Sequence, residues 1–305
     1  MSDSTGATWK GAAQLRGRLP WRLVDVALVL FIYFFNMSTL FDLAGDVAVV
    51  VGGTGVLGGA LAEGLAAAGS KVAILGRNME RGEARVAAIH AAGGHAAFIP
   101  ADASERSSLE HALENVTSKF GSPTILVNAA GGNNSKVTVT EDFPIEKIEV
   151  QDWVAAFDLN LLGGALLPCQ VFGPGMCARG RGSIINIASV SAHLPLSRVV
   201  AYSSAKAAVL NLTQFLAREW ASKGVRVNSI TPGFFPAEQN RSLLFQPDGS
   251  PSARTQAIWG HTPMKRFGES HELVGACVFL ASRAAAGFVT GTDIRVDGGY
   301  LSQTI

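Results

Sequence analysis

From Met37 onward the chain alternates between short apolar runs rich in β-branched residues, each bounded by glycine or polar positions, and Ala/Leu-rich stretches of helical period. Strands are expected at residues 47–51, 71–75, 96–100, 125–128, 183–187, 226–230 and 292–296. Helices are expected between them at 56–68, 80–92, 107–119, 154–177, 201–222 and 272–282. The strands are apolar along their whole length rather than at every second position, so both faces of the sheet are covered. Helices between consecutive strands let those strands run parallel. The pattern predicts an α/β fold: a doubly wound, Rossmann-like parallel sheet of about seven strands in a single domain. Ligands of such a sheet bind at the carboxyl ends of its strands.

Residues 1–36 differ in kind. Lys10, Arg16, Arg18 and Arg22 precede an apolar run from Val26 to Phe35. The run is too short to span a bilayer as a helix, which takes about 20 residues, and Asp25 stops its extension. Three readings stay open: translation starting at Met37 or a dispensable extension, a membrane-surface or partner-binding helix, and a signal segment, although no small-x-small cleavage site follows. The folded domain is then 37–305, and the expected location is cytoplasmic.

The 305 residues are 48% hydrophobic and 16% charged, with a net charge of +1. That composition supports a large core and shows no basic footprint for nucleic acid. Cys169, Cys177 and Cys277 form no CxxC pair, and the six histidines show no metal-ligand spacing. Neither a disulfide framework nor a metal is expected.

Chemistry enters with glycine. In the run Val49-Val-Val-Gly-Gly-Thr-Gly-Val-Leu-Gly-Gly59, Gly53-x-Gly55-x-x-Gly58 follows the first strand and opens the first helix. Glycine there gives a tight turn, lets a diphosphate approach bare backbone, and turns the helix N-terminus toward negative charge. Where an acidic residue would bind the ribose hydroxyls of NAD, at the end of the second strand, this chain has Arg77 and Asn78. Arg77 suits a 2′-phosphate, which favours NADP(H) and leaves NAD(H) open.

Tyr202 and Lys206 stand four apart, on one face of a helix. A tyrosine of pKa about 10 needs roughly 4 kcal/mol of anion stabilisation to act as a base near neutrality, and a lysine beside it, with the positive nicotinamide ring, supplies that kind of help. Ser189 lies just beyond the fifth strand and Asn160 within a long helix. With the glycine loop, Asn128-Ala-Ala-Gly131 and Pro232-Gly233, these residues resemble the short-chain dehydrogenase/reductase family over about residues 41–300.

The resemblance implies that Tyr202 is the general acid/base. Lys206 lowers its pKa and holds the nicotinamide ribose, Ser189 bonds the substrate oxygen, and Asn160 keeps a water in the proton relay. It implies cofactor contacts from Gly52, Gly55, Leu57, Gly58, Arg77, Asn78, Asp102, Ala103, Asn128, Tyr202, Lys206, Pro232 and Gly233. It also implies a homotetramer built on the helices that contain Asn160 and Tyr202. Three positions depart from the family's pattern: Val51 replaces a turn-bracing Thr, the spacing Gly52-x-x-Gly55-x-x-Gly58 is closer to that of extended and atypical members, and Ala237 stands where a cofactor-contacting Thr is common.

The long segment 234–266 between the sixth strand and the next helix is expected to be a lid. Its wording, with Gly131-Gly-Asn-Asn-Ser-Lys136 and Gln170-Val-Phe, resembles the sugar-acid branch named D-mannonate oxidoreductase or fructuronate reductase. The reaction implied is D-fructuronate to D-mannonate. Another keto-sugar acid such as 5-keto-gluconate, a polyol or another carbonyl compound, and a cofactor-binding protein without turnover are the alternatives. Lys136, Arg198 and Arg241 are candidate cations for a carboxylate. Asn133, Asn134, His193, Gln239 and Asn240 are candidate hydroxyl partners.

Overall fold

The computed structural model describes residues 39–236 and 244–304. Residues 1–38, which include the basic and apolar leader, and 237–243, which include Gln239, Asn240 and Arg241, lie outside the described residues. The segment from Phe41 to the C-terminus forms a compact unit of its own.

Seven parallel strands make one sheet: β1 (Val47–Val51), β2 (Lys71–Gly76), β3 (His95–Pro100), β4 (Ile125–Asn128), β5 (Gly182–Ile187), β6 (Val225–Pro232) and β7 (Asp293–Val296). Their order is β3-β2-β1-β4-β5-β6-β7. Register puts Val51 level with Leu75 on one side and Asn128 on the other. The chain reverses direction across the sheet between β1 and β4, and that reversal leaves a crevice at the carboxyl ends where no crossover covers the strands.

Alternation within each strand feeds two cores. Ala48, Val50, Val72 and Ile74 face α1 (Val56–Ala67), α2 (Met79–Ala91) and, further along the chain, α8 (Val274–Ala281). Val47, Val49, Val51 and Leu126 face the other way. Against them pack α3 (Arg106–Phe120), a long helix and α6 (Val200–Trp220). That long helix runs as α4 (Val150–Phe157), a π-helical stretch Asp158–Leu166, and α5 (Leu167–Ala178). It is apolar and long enough to cross a membrane by length and composition. Here Cys169, Phe172 and Met176 bury its inner side against the sheet. α7 (Ala253–His261) follows a short antiparallel bridge between Phe245 and Pro251, and α9 (Arg283–Ala286) precedes β7.

Observed strands match the expected ones to within two residues at their ends. The larger differences are helical. The long helix begins at Val150 rather than 154 and widens to π geometry, and α7 falls inside the segment expected to be a lid. Cys169 and Cys277 are fully buried, and burial pushes both thiols up to about 12.

Candidate active site

The loop between β1 and α1 is shaped by contacts that only glycine permits. Gly52 has φ +81°, and a Cβ there would lie 2.6 Å from the Ala130 nitrogen. A Cβ on Gly58 would lie 2.3 Å from the Gly52 carbonyl oxygen, so the first turn of α1 sits directly on the loop. Gly55 caps α1 without a side-chain bond, and no acidic residue stands in the first turn. The leading N–H groups of α1 are therefore available to an anion, with the helix dipole behind them. Leu57 points away, into the core beneath β1.

A groove of about 330 Å³ opens over this loop, lined among others by Gly52, Gly55, Arg77, Asp102, Ala103 and Gly131. The Arg77 guanidinium is largely exposed and lies 3.6 Å from the Asp102 carboxylate. Asn78 accepts from the Arg81 N–H at 2.8 Å and so caps α2. Deeper in, Asn128 Nδ2 donates to Asn186 Oδ1 at 2.8 Å, and Asn186 Nδ2 donates to Thr213 Oγ1 at 2.9 Å, which ties β4, β5 and α6 together. Pro232 ends β6, and a Cβ on Gly233 would lie 2.8 Å from the Asp297 Cα. Turn, free N–H groups and groove together fit a dinucleotide: the diphosphate over α1, the ribose toward Arg77.

At the mouth of the crevice the four polar residues expected to carry the chemistry come together. Tyr202 lies in the first turn of α6, near enough to the Ser189 hydroxyl at the end of β5 for that hydroxyl to act on its phenol. Lys206, one turn further on, is 3% exposed; its Nζ donates to the Ile187 carbonyl at 2.7 Å and lies 5.8 Å from the centre of the Tyr202 ring. Asn160 is fully buried. Its carboxamide accepts from the Gly132 N–H and donates to the Gly132 carbonyl, both at 2.9 Å, and donates also to the Ala156 carbonyl at 2.9 Å. A Cβ on Gly131 would lie 2.7 Å from Asn160 Oδ1 and 3.4 Å from Lys206 Nζ, so the loop after β4 joins the two. Burial lowers the Lys206 ammonium to about 8, and it raises the Tyr202 phenol, which the Ser189 hydroxyl partly opposes.

The substrate candidates divide. An open cavity of about 1090 Å³ lies at the N-terminal end of α6, the helix that carries Tyr202, and is lined among others by Asn133, Lys136, Arg198, the N-cap residue Val199 and Arg254. Asn133 Nδ2 donates to Thr138 Oγ1 at 2.7 Å, while Asn134 accepts from the Lys136 N–H at 3.0 Å and caps a short turn. Lys136 pairs with Asp152 at 3.3 Å. His193 is turned to the sheet: its Nε2 lies 3.1 Å from Asp293 Oδ2 and 3.2 Å from Thr231 Oγ1. Asp293 Oδ1 also accepts from the Ser229 and Thr231 hydroxyls, so the same carboxylate joins β6, β7 and the turn that carries His193. Arg254, on the first turn of α7, was not among the residues singled out from sequence; nothing in the local pattern says which wall that helix forms.

These features define a dinucleotide-dependent α/β enzyme. A family model described as Enoyl-(Acyl carrier protein) reductase, of the short-chain dehydrogenase/reductase type, matches residues 54–301, and the chain belongs to the short-chain dehydrogenase/reductase family. It is an oxidoreductase. An uncharacterised oxidoreductase of Bacillus subtilis, UxuB, is 42% identical over 274 residues, which are 86% of this chain and 97% of that protein. A Haemophilus influenza protein described as a candidate D-mannonate oxidoreductase, solved with bound NAD, is 36% identical with a TM-score of 0.82, covering 88% of this chain and 99% of its own. A gluconate 5-dehydrogenase from Burkholderia cenocepacia, solved with NADP and tartrate, is 33% identical with a TM-score of 0.78, covering 88% and 100%.

Proposed function

We propose that this protein reversibly reduces a keto-sugar acid to its secondary alcohol with NAD(P)(H), the pair D-fructuronate and D-mannonate being the first to test and 5-keto-gluconate and gluconate the second. The observation that carries the reading is the meeting of Tyr202, Ser189, Lys206 and Asn160 beside the glycine-loop groove. The sugar-acid class is supported by the relatives' names and by the cations that line the adjoining cavity.

Bound NAD(P)H supplies a hydride to the carbonyl carbon, and NAD(P)⁺ accepts it in the reverse direction. As the carbonyl oxygen gains charge, Tyr202 gives it the phenol proton, and Ser189 donates a hydrogen bond to the same oxygen. Burial alone holds the phenol proton too tightly for base chemistry in the oxidative direction. The Lys206 cation and the Ser189 hydroxyl must overcome that, and an additional charge within a few ångströms in a dry site is the strongest lever available. Asn160 fixes the Gly131–Gly132 turn against Lys206 and holds the route by which a proton reaches Tyr202. Arg77 favours a 2′-phosphate, although Asp102 at 3.6 Å tempers it; NADP(H) is put ahead of NAD(H), and the ratio of the two affinities measured by fluorescence titration tests the order.

Tyr202→Phe is expected to lower kcat about 1000-fold while cofactor affinity stays within a factor of two, because it removes the transferred proton and little else. Steady-state turnover of D-fructuronate with NADPH and NADH measures the first quantity. A variant as active as the parent overturns this assignment of the proton donor. We also propose a homotetramer, in keeping with the family resemblance and with apolar side chains left exposed on α4 and α6.

A further inference from the structure

The cavity at the N-terminal end of α6 is lined by four cationic and two carboxylate side chains. Lys136 is paired with Asp152, and the Lys147 ammonium donates to the Asp142 carbonyl at 2.9 Å. Glu149, the second carboxylate, makes no ion pair among the described residues. Arg198 and Arg254 likewise pair with no carboxylate among them, and both residues belong to the lining.

Arg198 carries a second mark. Its φ is +75°, the left-handed region that a non-glycine residue seldom occupies, and the Val139 N–H holds it there by donating to the Arg198 carbonyl at 2.8 Å. Backbone held against its local preference gathers where a ligand must be met. Arg198 lies four positions before Tyr202, and Arg254 comes from a distant segment, so two arginines from separate stretches of chain share one cavity at the start of the helix that carries the reacting tyrosine. A guanidinium's fork of donors matches a carboxylate better than it matches hydroxyls.

We infer that Arg198 and Arg254 form the carboxylate anchor of the substrate, gripping the acid group while the ketone lies at Tyr202. This rests on the sugar-acid reading and narrows it. In D-fructuronate and in 5-keto-gluconate alike, three carbons separate ketone from carboxylate. One anchor at a fixed distance from Tyr202 serves both, and it discriminates against a neutral ketose of the same length and against a 2-keto acid, whose ketone adjoins the carboxylate.

The test compares the parent enzyme with Arg198→Gln, Arg254→Gln and the double variant. The substrates are D-fructuronate, 5-keto-gluconate and neutral D-fructose, with D-mannonate binding followed by calorimetry. A charge-assisted hydrogen bond lost without replacement corresponds to about a 10- to 100-fold change. Each single variant is expected to lose that much in kcat/KM for the keto-acids, mainly through KM, and to bind D-mannonate correspondingly more weakly. D-fructose turnover and NADPH affinity are expected to stay within a factor of two, and the latter reports an intact fold. Arg198→Lys is expected to recover part of the loss. A parent enzyme that reduces the keto-acids beside variants that do so equally well overturns the anchor and leaves the sugar-acid reading standing. Equal losses for acid and neutral substrates also overturn the anchor. A parent enzyme that reduces D-fructose or simple ketones and neither keto-acid overturns the sugar-acid reading, and the anchor falls with it.

Discussion

Lys206 shows how one side chain links stability to chemistry. It is buried to 3% exposure with a single carbonyl partner, and its ammonium is lowered to about 8. Below that pH it is charged in both folded and unfolded chains, and the folded state bears the full desolvation cost. Between about 8 and the unfolded value near 10.5 the unfolded chain binds the extra proton, so stability rises with pH across that window. The difference amounts to roughly 3 kcal/mol at most. The buried thiols of Cys169 and Cys277 act oppositely at alkaline pH, since their folded values are raised. Comparing the urea stability of the parent with that of Lys206→Met at pH 8 and pH 10 cancels the thiols. The parent is expected to gain on the variant as pH rises; parallel profiles would show that Lys206 does not titrate there. Tyr202, Lys206 and Ser189 were legible because their spacing along one helix and one strand end has direct chemical content. The pairings of Lys136 with Asp152 and of His193 with Asp293 were not, because each joins segments whose approach only the folded chain decides.

At the level of elements, the strands were legible because apolar runs of four to eight residues bounded by glycine or polar positions leave little choice in a parallel sheet. The π-helical stretch was not. Nothing in Asp158-Leu-Asn-Leu-Leu-Gly-Gly-Ala-Leu166 forbids an ordinary α-helix. The wider turn accompanies close approaches instead: a Cβ on Gly163 would lie 3.0 Å from the Ala103 carbonyl carbon, and one on Gly164 would lie 3.1 Å from the Ala130 oxygen. Asn160 sits in this stretch, so the change of helical register and the clamp on Gly132 belong together. The loop before α1 is equally unforgiving. Gly58→Ala places a methyl group 2.3 Å from the Gly52 carbonyl oxygen, a clash with backbone that no side-chain rotation relieves. The loop must shift, and NADPH affinity is expected to fall more than tenfold while far-ultraviolet circular dichroism stays native, because the sheet beneath is untouched. Unaltered affinity in fluorescence titration would mean that the loop does not hold the diphosphate.

For the whole molecule, the question is what covers the outer side of α4 and α6. Single exposed apolar residues are ordinary on any protein surface. Val150 and Val154, however, are 77% and 50% exposed one turn apart on α4, and Phe215, 51% exposed, projects from α6, which packs beside it. Arg218 lies over the Phe215 ring at 5.3 Å and leaves half of that residue open. α6 holds Tyr202, and α4 runs directly into the π-helical stretch that holds Asn160, so an interface here would stiffen the catalytic elements from behind. Burying such a side chain contributes about 1.5–3 kcal/mol, and a two-fold contact counts each one twice, a gain set against the freedom lost on association. Analytical ultracentrifugation of the parent is expected to give four times the 31.9 kDa chain mass. Val154→Lys combined with Phe215→Glu is expected to shift the population to smaller species. Both positions lie outside the cofactor groove, so NADPH affinity in the double variant is expected to match the parent. Turnover is expected to fall only as far as the loosened helices let Tyr202 and Asn160 drift. A parent enzyme sedimenting at the mass of one chain would overturn the proposed assembly and leave the active-site assignments to stand on their own geometry.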